Sequence, residues 1–334
     1  MISRYKALFL FLTLLCVVLF AVDIFLGSVN LPFSEVLNTL QGRGSGTVRY
    51  IVIEHRLPKA LTALLAGIGL SLSGLLMQTL FRNPMAGPYV LGITSGASLG
   101  VGLLLMGGAA IPMLGAISES PLSIIIASWL GSGLVMLAIL SVASRLKDIL
   151  AILIVGLMVG SFASAMISVL SIYSSAEQLQ KFTFWSMGNL SNLSWDALTW
   201  LSLAMLPGFL LAVYCIKPLD ALLLGENYAV STGVRIQHVR LLIITATAIL
   251  AGSITAFAGP IAFIGLASPH IARLIFKSGS HRIIFGATML AGIALMLLCD
   301  ILSQTGGVLL PINAVTSAVG APIVIWLILR KQGL

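Results

Sequence analysis

Residues 60–81 read ALTALLAGIGLSLSGLLMQTLF, with no Asp, Glu, Lys or Arg among them. A helix that crosses a bilayer needs about 20 mostly apolar residues. The run is apolar all round rather than along one stripe, as expected of a helix that meets lipid or other helices on every side. Charge returns only at its ends, with Arg56 and Lys59 before it and Arg82 after it.

The rest of the chain repeats this pattern. Of its 334 residues 59% are hydrophobic and only 8% are charged, and mean hydropathy is +1.11. A soluble domain carries about 25% charged residues, so a soluble enzyme, a disordered chain and a nucleic-acid binder are all excluded. Cutting the sequence at its charged and turn-rich breaks predicts about ten spans, near 7–27, 60–81, 90–106, 121–142, 149–171, 195–215, 240–257, 260–276, 283–303 and 313–330. The third and eighth are short and carry Gly and Pro, which suits partial or re-entrant helices. The N-terminal run resembles a signal peptide, but no small-x-small site follows it, so it is read as an uncleaved first helix. Cys16, Cys215 and Cys299 sit in apolar runs and read as buried hydrophobes.

Ten spans place both termini on one side. Of the 18 Lys and Arg residues, all but Arg43, Arg49, Arg56, Lys59 and Lys181 then fall on that side, which predicts cytoplasmic termini. Four of the outer charges lie between residues 43 and 59. They suit either an interfacial loop on lipid headgroups or a docking surface for an acidic partner.

Small residues recur at helical spacing in Gly92, Gly96 and Gly100, and again in Gly156, Gly160, Ser164 and Ser168. Such rows permit close helix packing, and the second would also give a translocation path a wall of small side chains. Ionisable groups inside spans are few: Asp23, Asp300, and His270 and Arg273 around the Pro-bearing turn at Pro269. Structural pairing is the first reading of these groups and a proton relay the second.

Two inner connections stand out. In Arg82-Asn83-Pro84-Met85-Ala86-Gly87-Pro88 the two prolines fix a compact turn. Residues 217–239, KPLDALLLGENYAVSTGVRIQHV, read as a short amphipathic helix broken at Gly225 and ended near Gly233. That helix would lie on the membrane surface or act as a lever fitting a cytoplasmic partner. No GxxxxGK[ST] loop, HExxH motif, zinc spacing or nucleophile elbow is present, so neither ATP binding through a phosphate loop, nor catalysis, nor a metal site is expected of this chain.

The run RLPKALTALLAGIGLSLSGLLMQTLFRNPMAGPYVLGITSGASLG (56–100) resembles the first signature block of FecCD/BtuC-type permeases, the membrane subunits of ABC importers for iron chelates, haem and cobalamin. LLLGENYAVSTGV (222–234) resembles their coupling loop, AGPIAFIGLASPHIARLIF (258–276) their most specific block, and LPINAVTSAVGAPIVIWLILRK (310–331) their last block. The resemblance runs in order over residues 50–334.

It implies an all-α membrane protein with the type II ABC importer permease fold, ten helices and a single permease domain over 1–334. The implied partners are a second copy of the permease (a homodimer or a close heterodimer), two cytoplasmic ATPase subunits that use the ATP, and a periplasmic or lipid-anchored binding protein. The setting implied is the bacterial cytoplasmic membrane. The resemblance places Leu224, Gly225, Glu226, Ala229 and Gly233 against the ATPase. Asn83, Pro84 and Met85, with Asp148, Ile149 and Leu150, fall at the cytoplasmic gate. Gly156, Gly160, Ser164 and Ser168 fall on the path, and Arg56 and Lys59 at the docked binding protein. Three residues depart from the pattern: Gly87 where an acid is frequent, Gln304 where an outer Arg is common, and Asn313 where Gly usually follows Leu-Pro. The expected cargo is a ferric siderophore, with haem or cobalamin as the alternative. A proton-coupled transporter using Asp300, His270 and Arg273 is the competing mechanism, and an unpowered channel or scaffold is a third.

Overall fold

In a computed structural model, residues 2–27, 29–44, 46–107, 120–145, 149–191, 193–305 and 309–332 are described, and every regular element among them is helical. Ten apolar helices occupy the ten predicted stretches: α1 (Ile2–Phe25), α4 (Leu57–Leu80), α5 (Ile93–Met106), α6 (Pro121–Arg145), α7 (Ile149–Tyr173), α9 (Trp195–Tyr214), α12 (Ile236–Ala258), α13 (Ile264–Phe276), α14 (His281–Gln304) and α15 (Ile312–Gln332). Short helices fill the connections: α2 (Phe33–Leu40), α3 (Gly46–Tyr50), α8 (Ala176–Ser186), α10 (Ile216–Leu223) and α11 (Glu226–Ser231).

Seven of the apolar helices are long enough to cross a bilayer, and three shorter apolar runs lie in α5, α13 and α15. At 1.5 Å per residue, the 14 residues of α5 and the 13 of α13 fall short of a hydrocarbon core about 30 Å thick, as their Gly and Pro content suggested. One local expectation fails: Pro269 marks no turn but lies inside α13. The missing amide costs one helical hydrogen bond there, and the helix continues to Phe276. The chain enters α4 through a π-helical turn, Ile51–Arg56, so helical structure is unbroken over Gly46–Leu80.

The chain divides into two compact units. The first comprises Met1–Leu72, Asn189–Leu203 and Ile261–Leu334. Here α1 packs along α14, which also carries α13 and α15. Cys16 donates its thiol to the Leu290 carbonyl at 3.3 Å, and the Phe9 ring meets that of Phe276 at 4.7 Å. A smaller core of Ile24, Val36, Val52 and Ala60 seats α2 and the π-helical turn. The second unit comprises Ser73–Gly188 and Ala204–Pro260. Here α5 packs on α6, α7 and α12. The contact with α6 is made backbone to backbone: a Cβ on Gly131 would sit 2.1 Å from the Gly96 carbonyl oxygen. Only glycine permits that approach, as the four-residue spacing predicted. All three cysteines are free and buried.

Candidate functional site

On the side expected to face outward, the first unit gathers charges from three helices. Asp23 lies near the end of α1, Lys59 in the first turn of α4 and Asp300 near the end of α14. Lys59 Nζ is 2.9 Å from Asp300 Oδ2 and 3.9 Å from Asp23 Oδ1. Gln304, one turn after Asp300, donates from Nε2 to Asp23 Oδ1 at 2.8 Å. Ser303 donates to the Asp300 backbone carbonyl at 2.7 Å. Arg56, one turn before Lys59, donates from Nη1 to the carbonyls of Ile24 at 3.0 Å and Phe25 at 2.8 Å, and from Nη2 to that of Val29. The carbonyls of Ile24 and Phe25 are left without helical partners where α1 ends, and a cation is favoured there.

This arrangement corrects the expected exposure of two docking residues. Arg56 is 6% exposed and Lys59 8%. Both side chains are held inside, and they line a cavity of about 270 Å³ with His55, Ser191 and Gln304. Charges in a bilayer-embedded segment must be paired, and the helix ends supply the partners. The exposed basic residues of the same segment are Arg43 and Arg49. On α8, the Lys181 ammonium, 2.9 Å from Glu177, is hydrogen-bonded to that carboxylate and holds it below the usual carboxylate range. Gln304, which stands where an outer Arg is common in the family, completes the buried cluster. Asn313 accepts a hydrogen bond from the Ala262 amide at 3.2 Å. The third departure, Gly87, is buried in extended backbone ahead of a 3-10 turn, Pro88–Leu91.

The second unit holds the gate and coupling segments. Asn83 Oδ1 accepts from the Met85 amide at 2.9 Å, the Ala86 amide donates to the Asn83 carbonyl at 3.0 Å, and Tyr89 donates to the Met85 carbonyl at 3.4 Å. Asn83 and Pro84 are exposed and Met85 is half-buried. Desolvation pushes the Tyr89 phenol above its ordinary pKa, so it stays a donor. Leu150 is exposed at the start of α7, and Ile149 opens that helix. Asp148 lies outside the described residues.

The coupling segment forms α10 and α11, broken at Gly225 as the sequence predicted. Gly225 has φ +120°, a conformation that strains any side-chain-bearing residue. Its carbonyl accepts from the Ala229 amide at 2.9 Å, and Ala229 is the fully buried residue of α11. Gly233 closes the segment at φ +85°. Leu223, Leu224, Tyr228 and Val230 are exposed apolar side chains on this segment. Glu226 Oε1 faces Arg240 Nη2 on α12 at 3.8 Å. Gln237 of α12 also donates to the Ser144 carbonyl at the end of α6. Neither Arg240 nor Gln237 was singled out by sequence; a basic residue one turn into a span is the signal that could have found the first.

The row of small residues on α7 divides into two parts. Gly156 is buried against the 3-10 turn, where a Cβ would meet the Val90 carbonyl oxygen at 2.5 Å. Gly160 has room for a Cβ, with Ser95 Oγ at 3.4 Å. Ser164 and Ser168 are exposed, and each hydroxyl donates to the carbonyl one turn back at 3.0 Å. Those two hydroxyls are satisfied without a ligand.

The model of the FecCD transport family matches residues 14–330. Among curated proteins, the chain is 34% identical to the hemin transport system permease protein HmuU of Yersinia pestis, covering 96% of this chain and 95% of that one. It is also 34% identical to the vitamin B12 import system permease protein BtuC of Klebsiella pneumoniae, covering 96% and 93%. Its fold superposes with a TM-score of 0.85, at 27% identity, on a metal-chelate type ABC transporter solved in an inward-facing conformation, covering 97% of this chain and 99% of that one.

Proposed function

The chain belongs to the FecCD transport family and is a multi-pass ABC importer permease, and on that premise we propose that it moves a bulky iron chelate, a ferric siderophore, across the bacterial cytoplasmic membrane. The observation that carries the cargo class is the fold match, over nearly the whole length of both chains, to a metal-chelate transporter. The small, neutral face of Gly160, Ser164 and Ser168 suits a large cargo that is recognised elsewhere. In this reading a second copy of the permease completes the path, and a binding protein outside delivers the cargo. Two cytoplasmic ATPase subunits supply the driving force, and the permease itself holds no cofactor and performs no covalent chemistry.

The binding protein docks through charge. Arg43 and Arg49 provide the exposed part of the basic segment, and Arg56 and Lys59 line the cavity behind it. On the inner side, the ATPases grip the exposed Leu224, Tyr228 and Val230. Their closure moves α10 and α11, and with them the gate turn at Asn83, Pro84 and Met85. ATP thereby biases a two-state helix arrangement.

Haem or cobalamin is the second reading, favoured by the names of the two relatives at 34% identity. The proton-coupled alternative is not favoured: Asp300, its central carboxylate, is already paired with Lys59. The test is uptake of labelled ferric siderophores, haem and cobalamin in a strain lacking the gene. Loss of ferric siderophore uptake alone is expected. Loss confined to haem or cobalamin moves the cargo to the second reading, and undiminished uptake of all three refutes the cargo class.

A further inference from the structure

Arg82 is the last residue before the gate turn, and its backbone is left-handed, at φ +46°. It terminates α4 by a Schellman arrangement: its own amide donates to the Thr79 carbonyl at 3.2 Å, and the Asn83 amide donates to that of Gln78 at 3.2 Å. Glycine is the usual occupant of that position, because a Cβ is penalised there. An arginine in it calls for a reason in the side chain. The structure offers one: Arg82 Nη2 donates to the Leu222 carbonyl at 3.4 Å, across 140 residues of sequence. Leu222 lies in the last turn of α10, where its carbonyl also accepts from the Gly225 amide at 3.2 Å and where the carbonyls carry the negative end of the helix dipole. A guanidinium is well matched to such a terminus.

We propose that Arg82 is the positioning residue through which the coupling segment moves the cytoplasmic gate. The proposal deepens the importer reading and rests on it. Two further features support it. The gate turn is closed on itself through Asn83, Met85, Ala86 and Tyr89, so a displacement at Arg82 is passed on to the whole turn. Just past the Gly225 break, Glu226 ties the segment separately to the buried Arg240 on α12. The Arg82 contact joins the segment to the residue that leads into the gate turn.

The test uses the complete transporter, with its ATPase subunits and binding protein, in proteoliposomes, and reads cargo taken up per ATP hydrolysed. Arg82→Gly keeps the left-handed turn and removes the guanidinium. It is expected to lower that ratio about fivefold, the factor corresponding to one hydrogen bond of about 1 kcal/mol, with ATP hydrolysis and thermal unfolding unchanged. Arg82→Lys retains a cation at the helix terminus and is expected to recover most of the ratio. An unchanged ratio in Arg82→Gly overturns the proposal. So does a fall of uptake and hydrolysis in step, which would make the contact merely structural. Failure of the importer reading is seen separately, as a wild-type complex that takes up no cargo when ATP is added.

Discussion

Lys59 Nζ and Asp300 Oδ2 lie 2.9 Å apart, and both side chains are almost wholly buried. The pair ties the start of α4 to the end of α14, and Asp23 draws α1 into the same contact. An ionic group inside a membrane domain is tolerated because its alternative, an unpaired charge in a poorly solvated site, is far worse. The pair contributes position more than net stability.

Removing one member should therefore cost more than removing two. Lys59→Met leaves two buried carboxylates without their cation and is expected to destabilise the protein by about 3–5 kcal/mol. Adding Asp300→Asn to Lys59→Met should recover part of that loss, since the neighbours are coupled. Thermal unfolding in detergent measures both. A Lys59→Met variant that melts with the wild type would show that the pair does not hold these helices.

Charge reversal outside should behave differently. Arg43→Glu with Arg49→Glu is expected to slow association of the cognate binding protein by about tenfold at low salt, with the melting temperature unchanged, because exposed charges act chiefly on encounter. Binding kinetics at two salt concentrations decide it. Unaltered association would remove these residues from the docking surface.

The α5–α6 contact gives a sharper packing prediction. Gly131→Ala forces a Cβ against the Gly96 carbonyl, and overpacking of this kind costs about 1–3 kcal/mol. Gly133→Ala, two residues on, meets no atom within 4 Å and should be silent. Equal folded yields and melting temperatures for the two variants would contradict the close approach.

At the coupling segment, Gly225→Ala places a side chain at φ +120°, and Glu226→Gln weakens the tie to Arg240. Both are expected to reduce uptake several-fold in protein that still folds. Wild-type transport by both variants would exclude this segment from coupling.

Most of the architecture was legible in the sequence, for physical reasons. A bilayer demands long uncharged runs, so residues 60–81 announce their own helix, and prolines and glycines mark where α5 and α13 fall short. The break at Gly225 was readable because few residues but glycine accept that backbone. The partners of buried charges were not readable. Asp23, Lys59 and Asp300 are far apart in sequence, and hydropathy treats a basic residue at a span end as an interfacial anchor whether it points out or in. Arg56 and Lys59 were accordingly expected at the surface, whereas the carbonyls ending α1 and the carboxylate of α14 hold them inside. Arg82 was hidden for a related reason: a turn rich in Asn and Pro explains itself, and nothing in its spacing points to Leu222.

The most direct test of the importer account is cargo accumulation by the purified permease reassembled with its ATPase subunits and binding protein in sealed vesicles. The account predicts accumulation that requires ATP inside the ATPase-facing compartment and binding protein on the other side, and that is indifferent to a proton ionophore. Accumulation that proceeds without ATP and collapses with the proton gradient would contradict it.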